Sequence, residues 1–194
     1  MLPMFRRTMP DNTETDDLNR DLLRDAAEQV QKQADGLPVY YTEWNGCATF
    51  GAPGNDTRKV AAYDVRAALS AEDFIDGSSI WCFSDIFEEI HPFPEEFHGG
   101  YGLVTQHGIA KPLFHALRLL GQAGDKRLEL PGALDGEVSV AAFRDAADTQ
   151  LTVLATKQNL HHFAGQSTPA TPVEIEVELD AKPQSVQLCR IDEE

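Results

Sequence analysis

Carboxylates near the ends of two predicted strands are the groups in this chain best suited to nucleophilic or acid–base chemistry. Glu43 ends a strand-forming run at 37–43, rich in β-branched and aromatic residues, and a glycine-rich loop follows it. A buried carboxylate is costly unless a partner or ligand binds it. At the carboxyl end of an α/β-barrel strand, such an acid is typical of a catalytic site. A solvated glutamate at a strand end is the plainer interpretation, and this stretch alone leaves both open.

A second predicted strand, at 79–84, runs into a pair of adjacent acids, Glu88 and Glu89. Adjacent acids are usually only a solvated loop. The connection that follows, at about 90–110, is rich in His, Pro, Phe and Gly, and loops of that length are typical of lids or binding loops. His98 and His107 stand in this connection without a third ligand at matching spacing, so no metal site is predicted.

The elements around these acids follow an order of helix, strand, helix, strand, long loop and helix. An apolar stripe predicts a first helix from Asp17 to about Gly36, and Asp56 or Thr57 can cap a second helix. Pro112 suits the first turn of a third helix. This order is typical of βα units in a parallel sheet or barrel.

Beyond residue 124 the periodicity changes from helical to alternating. Strands are predicted at 137–143, 150–155, 173–179 and 185–190, with turn residues between them. Such a pattern favours an antiparallel sheet with one wet face, and a sandwich is the natural way to cover the other face. The domain boundary is therefore predicted near 124–126, and the polar residues 1–16 are expected to form an irregular leader.

Composition excludes several classes of function. The 194 residues carry 32 acids against 16 Lys and Arg, a net charge of −16, which argues against nucleic acid or an anionic membrane as a partner. Cys47, Cys82 and Cys189 form neither a zinc motif nor a disulfide framework. The amino terminus has no signal-peptide pattern, which favours the cytoplasm without deciding the localisation.

Four sequence elements nevertheless occur together in order: Thr-Glu-Trp-Asn at 42–45, the segment 81–89, the loop 97–103 and the helix start at 108–112. Together they resemble the last two βα units of glycoside hydrolase family 39, the family of β-xylosidases and α-L-iduronidases. The segment 189–193 also resembles the end of a strand in that family's β-sandwich, so that the likeness covers about residues 17–194.

The resemblance implies an α/β plus all-β fold: strands seven and eight of a (β/α)8 TIM barrel at 17–124, then an incomplete antiparallel β-sandwich at 125–194. It also implies retaining hydrolysis of O-glycosidic bonds in a glycoside or oligosaccharide, without metal or organic cofactor. By the same resemblance Glu43 is the nucleophile, and the sugar-binding residues are Trp81, Glu88, Glu89, Phe97 and His98.

Two departures from the family pattern limit what is expected of the isolated chain. The family's general acid/base lies in an Asn-Glu-Pro motif, and no such tripeptide occurs here. A complete barrel needs about 250 residues. We therefore expect a fragment with little turnover, whose open strand edges favour a homo-oligomer or pairing with a missing amino-terminal half. A non-catalytic carbohydrate-binding or scaffold remnant is the alternative, and an α-L-iduronide is the alternative substrate.

Overall fold

The computed structural model describes residues 20–46, 50–86, 95–158, 172–179 and 182–192. In chain order, helices and strands alternate at first and then give way to strands, so the structure is a mixed α/β arrangement with small sheets. The α-helices are α1 (Leu22–Gln33), α2 (Arg58–Ala71) and α3 (Pro112–Gly121). The strands are β1 (Tyr40–Trp44), β2 (Gly77–Ile80), β3 (Lys126–Leu128), β4 (Val138–Arg144) and β5 (Leu151–Lys157).

The first sheet is a parallel pair, β1 with β2, and α2 lies between the two strands in the chain. Parallel neighbours need a long crossover connection, usually a helix, and this confirms the βα order predicted from the sequence. Helices α1 and α2 cover one side of β1, where Leu23 and Ala27 of α1 pack in one cluster with Trp44 of β1. Burying a side chain of the size of Leu23 stabilises a fold by about 1.5–3 kcal/mol.

The second sheet is antiparallel, in the order β3-β4-β5. Its longest pairing joins β4 and β5 from Val138 opposite Lys157 to Arg144 opposite Leu151. Ala141 and Phe143 of β4 share a buried cluster with residues of α2 and α3, so that α2 contributes to both cores. The change to alternating periodicity beyond residue 124 is thus confirmed for the strands up to Lys157.

Strand β2 is shorter than the sequence predicts. The prediction of a strand at 79–84 is wrong in its bounds, because the paired strand ends at Ile80. Residues 82–85 instead pair with 101–104: Leu103 N–H donates to Cys82 O at 3.0 Å, and Asp85 N–H donates to Val104 O at 2.9 Å. The end of the long connection therefore pairs with the segment that follows β2.

The strands predicted at 173–179 and 185–190 are also wrong. Residues 172–179 and 182–190 are exposed and have no strand assignment. A strand requires ladder hydrogen bonds to a neighbour, and within the described parts of the chain no neighbour pairs with these segments. Alternating apolar and polar side chains predict a strand with one apolar and one polar face, but they do not provide the neighbouring strand with which it must pair. Among the described residues, no helix is long and apolar enough to span a membrane.

Candidate active site

Two of the predicted site residues lie at the carboxyl ends of the parallel pair. Glu43 is the penultimate residue of β1, and Trp81 directly follows the last residue of β2. The strand ends are joined, because Trp44 is the register partner of Ile80 and Trp81 N–H donates to Trp44 O at 2.8 Å. Glu43 and Trp81 therefore belong to one edge of one small sheet, as the motif order predicts.

A β-bulge in β1 determines which way Glu43 faces. Tyr41 pairs with Ser78 and Trp44 pairs with Ile80, so β1 has one more residue than β2 between these pairs. Tyr41 and Trp44 both pack against the cluster formed with α1 and α2, and Glu43 between them is exposed. A bulge bends a strand and redirects its side chains, and bulges are common beside active sites. Here the bulge accompanies an exposed Glu43 between two side chains that pack against the helices.

Asn45, the last residue of the Thr-Glu-Trp-Asn segment, connects the two strand ends. Its side-chain Nδ2 donates to Trp81 O at 2.5 Å, and the residue is buried. A buried amide left without its hydrogen bond would lower the stability of the fold by about 1–3 kcal/mol. Asn45 follows Glu43 by two residues, so one short segment carries both the candidate nucleophile and the amide that holds the backbone of Trp81. The only sequence signal was an amide within a chemistry-bearing motif.

The glycine-rich loop at 97–103 lies beside the loop that follows β1. Gly51 N–H donates to Gly99 O at 3.0 Å, and Asn55 Nδ2 donates to the same carbonyl at 2.8 Å. The ring of Phe50 lies 5.7 Å from the ring of His98 and 5.1 Å from that of Tyr101. Phe50 is thus a further site-lining candidate, which the sequence analysis missed because an isolated Phe in a loop has no distinguishing pattern.

The predicted sugar-binding residues differ in where they lie. Trp81 is 37% exposed and Phe97 is 49% exposed, so each offers an aromatic surface to a ligand. His98 is half-buried, with its Nδ1 at 3.0 Å from Glu95 O. Glu88 and Glu89 lie outside the described residues. Aromatic faces pack against the C–H surface of a sugar ring, and carboxylates bind its hydroxyls.

A buried lysine holds the base of this region together. Lys111 Nζ lies 2.5 Å from Asp56 Oδ1 and 2.6 Å from Asp85 Oδ2, and all three side chains are at least nine-tenths buried. Asp56 or Thr57 was predicted to cap α2, and neither side chain makes a cap hydrogen bond; the carboxylate of Asp56 pairs with Lys111 instead. Thr57 occupies the N-cap position, but its hydroxyl donates to Gly54 O at 2.8 Å and makes no cap hydrogen bond.

Two further groups near the strand ends have perturbed acidities. Burial raises the pKa of the Cys82 thiol, whose Sγ donates to Ser84 O at 3.3 Å, so this thiol is a poor nucleophile. Burial also raises the pKa of Asp64 well above its ordinary value, although the backbone N–H of Gly46 acts in the opposite direction. In the described ranges, no three His, Cys, Asp or Glu side chains converge as metal ligands.

The arrangement provides an exposed carboxylate beside an exposed aromatic face at the carboxyl end of parallel strands. Such a set can bind a ring with an apolar face and attack it with a carboxylate oxygen.

The sequence is similar to those of known proteins. The profile described as Glycosyl hydrolases family 39 matches residues 9–193. A Beta-xylosidase of Geobacillus stearothermophilus is 40% identical over 111 residues, 57% of this chain and 21% of that protein. A Beta-xylosidase of Caldicellulosiruptor saccharolyticus is 41% identical over 108 residues, 54% of this chain and 22% of that protein. The matched part therefore spans about a fifth of these curated relatives.

Solved structures show the same likeness. The crystal structure of a monomeric beta-xylosidase from Caulobacter crescentus CB15 matches with a TM-score of 0.65 and 28% identity, over 80% of this chain and 32% of that chain. The GH39 enzyme from Xanthomonas axonopodis pv. citri matches with a TM-score of 0.58 and 28% identity, over 68% of this chain and 26% of that chain.

Proposed function

This chain belongs to glycosyl hydrolases family 39, and we propose that it carries the nucleophile of a retaining glycosidase that cleaves β-xylosides. The observation that carries the proposal is the position of Glu43, exposed at a bulge beside Trp81 at the carboxyl end of a parallel strand pair. A β-xyloside is preferred to an α-L-iduronide because both curated relatives reported above are named Beta-xylosidase.

The proposed fold is a pair of βα units from a (β/α)8 barrel at 17–124 and part of a β-sandwich at 125–194. The parallel pair β1–β2 with its crossover helix supports the first part, because barrel strands are parallel and each is followed by a helix. The antiparallel sheet β3-β4-β5 supports the second. Barrel active sites lie at the carboxyl ends of the strands, where Glu43 and Trp81 are found.

In the proposed reaction a carboxylate oxygen of Glu43 attacks the anomeric carbon, and the bond to the leaving-group oxygen breaks. A second carboxyl group about 5 Å away protonates that oxygen. The product is a glycosyl ester on Glu43, which water hydrolyses with the second group acting as base. Trp81 packs against the sugar ring, and Glu88 and Glu89 are proposed to bind its hydroxyls. We propose that the acid/base is encoded outside these 194 residues, since no Asn-Glu-Pro tripeptide occurs among them.

A trapping experiment tests the role of Glu43 without requiring the acid. In 2,4-dinitrophenyl 2-deoxy-2-fluoro-β-xyloside the leaving group needs no protonation, and the fluorine slows hydrolysis of the ester. The reagent is applied to the product of the complete reading frame, and the labelled peptide is identified by mass spectrometry. We expect the label on Glu43, its loss in Glu43→Gln and its retention in the control variant Glu129→Gln, an exposed acid outside the site. Label on another acid would overturn the proposal.

Binding without turnover is the second candidate function. It is favoured by the exposure of Glu43 and of part of Trp81, which leaves both side chains accessible to a sugar. For this candidate, calorimetry with xylobiose would give a measurable affinity, while the same protein would neither release dinitrophenol nor take up the fluorinated label. Release or labelling would exclude it.

A further inference from the structure

Three buried charged side chains lie behind the glycine-rich loop at 97–103, on three different elements. Asp56 ends the short 3-10 turn Pro53–Asp56, Asp85 follows β2, and Lys111 immediately precedes α3. Side-chain exposure is 8% for Asp56, 0% for Asp85 and 1% for Lys111. One ammonium group is thus shared by two carboxylates in a region that excludes water.

A contribution to folding stability does not explain well why such a cluster of buried charges is present. The desolvation penalty of a buried ion pair often exceeds its Coulomb energy, and apolar side chains of similar volume are frequently as stabilising or more so. What charged groups can do, and apolar groups cannot, is orient backbone N–H and C=O groups. The partners of these three side chains therefore indicate what the cluster does.

Each of the three side chains also bonds the backbone of the glycine-rich loop. Asp56 Oδ2 accepts from Gly99 N–H, Lys111 Nζ donates to Gly100 O at 3.1 Å, and Asp85 Oδ1 accepts from Gly102 N–H at 2.7 Å. Each carboxylate thus uses one oxygen for the ammonium group and the other for the loop.

The glycines of this loop are required by the closeness of that approach. A Cβ at Gly100 would lie 2.4 Å from Asp85 Oδ1, and one at Gly102 would lie 2.3 Å from Asp85 N. Gly99 has φ +80°, and its Cβ would lie 2.4 Å from Ala52 O. The loop can lie against the charged cluster only without side chains at these positions.

We propose that Lys111, with Asp56 and Asp85, is a clamp that positions the loop 97–103. By fixing this loop, the clamp places the rings of Phe97, His98 and Tyr101 around the sugar. This inference rests on the proposed function for the identity of the ligand. Lys111 is a positioning residue: it acts on the ligand through the loop backbone. Without its charge, two carboxylates are left facing each other, and the loop loses a fixed position.

The test compares Lys111→Met with the control Lys126→Met, which removes the charge of an exposed lysine on β3. Amide hydrogen exchange of residues 97–103 reports on the loop, and calorimetry with methyl β-D-xyloside reports on the site, both with the product of the complete reading frame. In Lys111→Met we expect exchange in 97–103 to rise about tenfold or more with β4 unchanged, and the Kd to rise about tenfold. The control should resemble the wild type in both readouts.

Gly100→Ala provides a second variant that keeps all three charges and should fold even where Lys111→Met does not. Its Cβ meets Asp85 Oδ1, so it should reproduce both the faster exchange and the weaker binding. Unchanged exchange in the two variants overturns the clamp, and faster exchange with an unchanged Kd overturns its role at the site. A wild-type protein that binds no xyloside refutes the proposed substrate instead, and exchange alone then decides the clamp.

Discussion

Asp64 is a buried carboxyl on α2, directly beneath the segment that carries Glu43. It is fully buried, and its oxygens lie so close to Gly46 that a Cβ there would be 2.3 Å from Oδ1. Burial raises the pKa of Asp64 well above its ordinary value of 3.8. A protonated carboxyl at this place avoids a buried charge beside the segment that carries Glu43.

A pH dependence of stability follows for Asp64→Asn. Because the pKa of Asp64 is raised on folding, the folded protein keeps a proton that the unfolded chain loses, and stability falls as pH rises above 3.8. The decrease ends above the folded pKa. Asn cannot ionise and is close to Asp in size, so the variant removes the titration with little change in packing. The free energy of unfolding of Asp64→Asn should therefore rise relative to wild type with pH, as measured by urea denaturation between about pH 4 and pH 8.

Asp145→Asn is the matched comparison, with the opposite sign. Hydrogen bonds from the backbone of Gln150 and from Thr149 lower the pKa of Asp145, so its carboxylate contributes stability above pH 3.8 that is lost as pH falls. Its variant should lose stability relative to wild type as pH rises towards 3.8, and the difference should stay constant between about pH 4 and pH 8. Parallel curves for Asp64→Asn and wild type would contradict the buried, neutral acid.

The junction between α3 and β3 depends on one glycine, which lies against the end of β4. Gly124 has φ +123°, and a Cβ there would lie 2.6 Å from Arg144 O at the end of β4. The variant Gly124→Ala would place an alanine at a strained positive φ, and its Cβ would clash with the backbone of Arg144, which cannot move without disturbing β4. We expect a loss of about 1–3 kcal/mol in the free energy of unfolding, measured by thermal or urea denaturation.

Gly121→Ala supplies the control at the last residue of α3. Nothing lies within 4 Å of a Cβ at Gly121, and it is not at positive φ. Because Ala favours the helix, this variant should be neutral or more stable by up to about 1 kcal/mol. Equal losses in the two variants would show that the contact with Arg144 does not decide the junction.

The sequence predicts elements well where the signal is local. Pro112 marks the first turn of α3, and alternation marks β4 and β5. Prediction from the sequence fails where the determining contacts are distant in the chain. Residues 101–104 pair with residues 82–85, and no local pattern predicts this pairing. The role of Lys111 could not be predicted from the sequence, because a single lysine is by default a surface residue. Its burial depends on two aspartates 55 and 26 positions earlier in the sequence.

Open strand edges and a large negative charge act against each other in the isolated 194-residue chain. In the described residues β1 and β2 pair only with each other, and Tyr40 of β1 is 62% exposed. Unpaired edges with apolar side chains favour association through added strands. The net charge of −16 opposes association by mutual repulsion.

Salt should therefore decide the balance between monomer and oligomer. The Debye length falls from about 30 Å at 0.01 M to about 3 Å at 1 M salt, so that repulsion fades while edge pairing remains. We expect the weight-average mass of the isolated chain to rise with NaCl in sedimentation equilibrium. Tyr40→Glu replaces an exposed ring on the open edge by a carboxylate that an added strand would desolvate, so this variant should suppress the rise at high salt as well.

The control is Val186→Glu, which adds the same charge at a side chain that is 83% exposed, in a segment outside the strands. If edges drive association, this variant should still self-associate in salt, because one added charge is screened at 1 M and the edge is untouched. Suppression by Val186→Glu and not by Tyr40→Glu would assign association to the exposed carboxyl-terminal segment. A chain that stays monomeric at every salt concentration would show that the parallel pair needs no further strand to remain soluble.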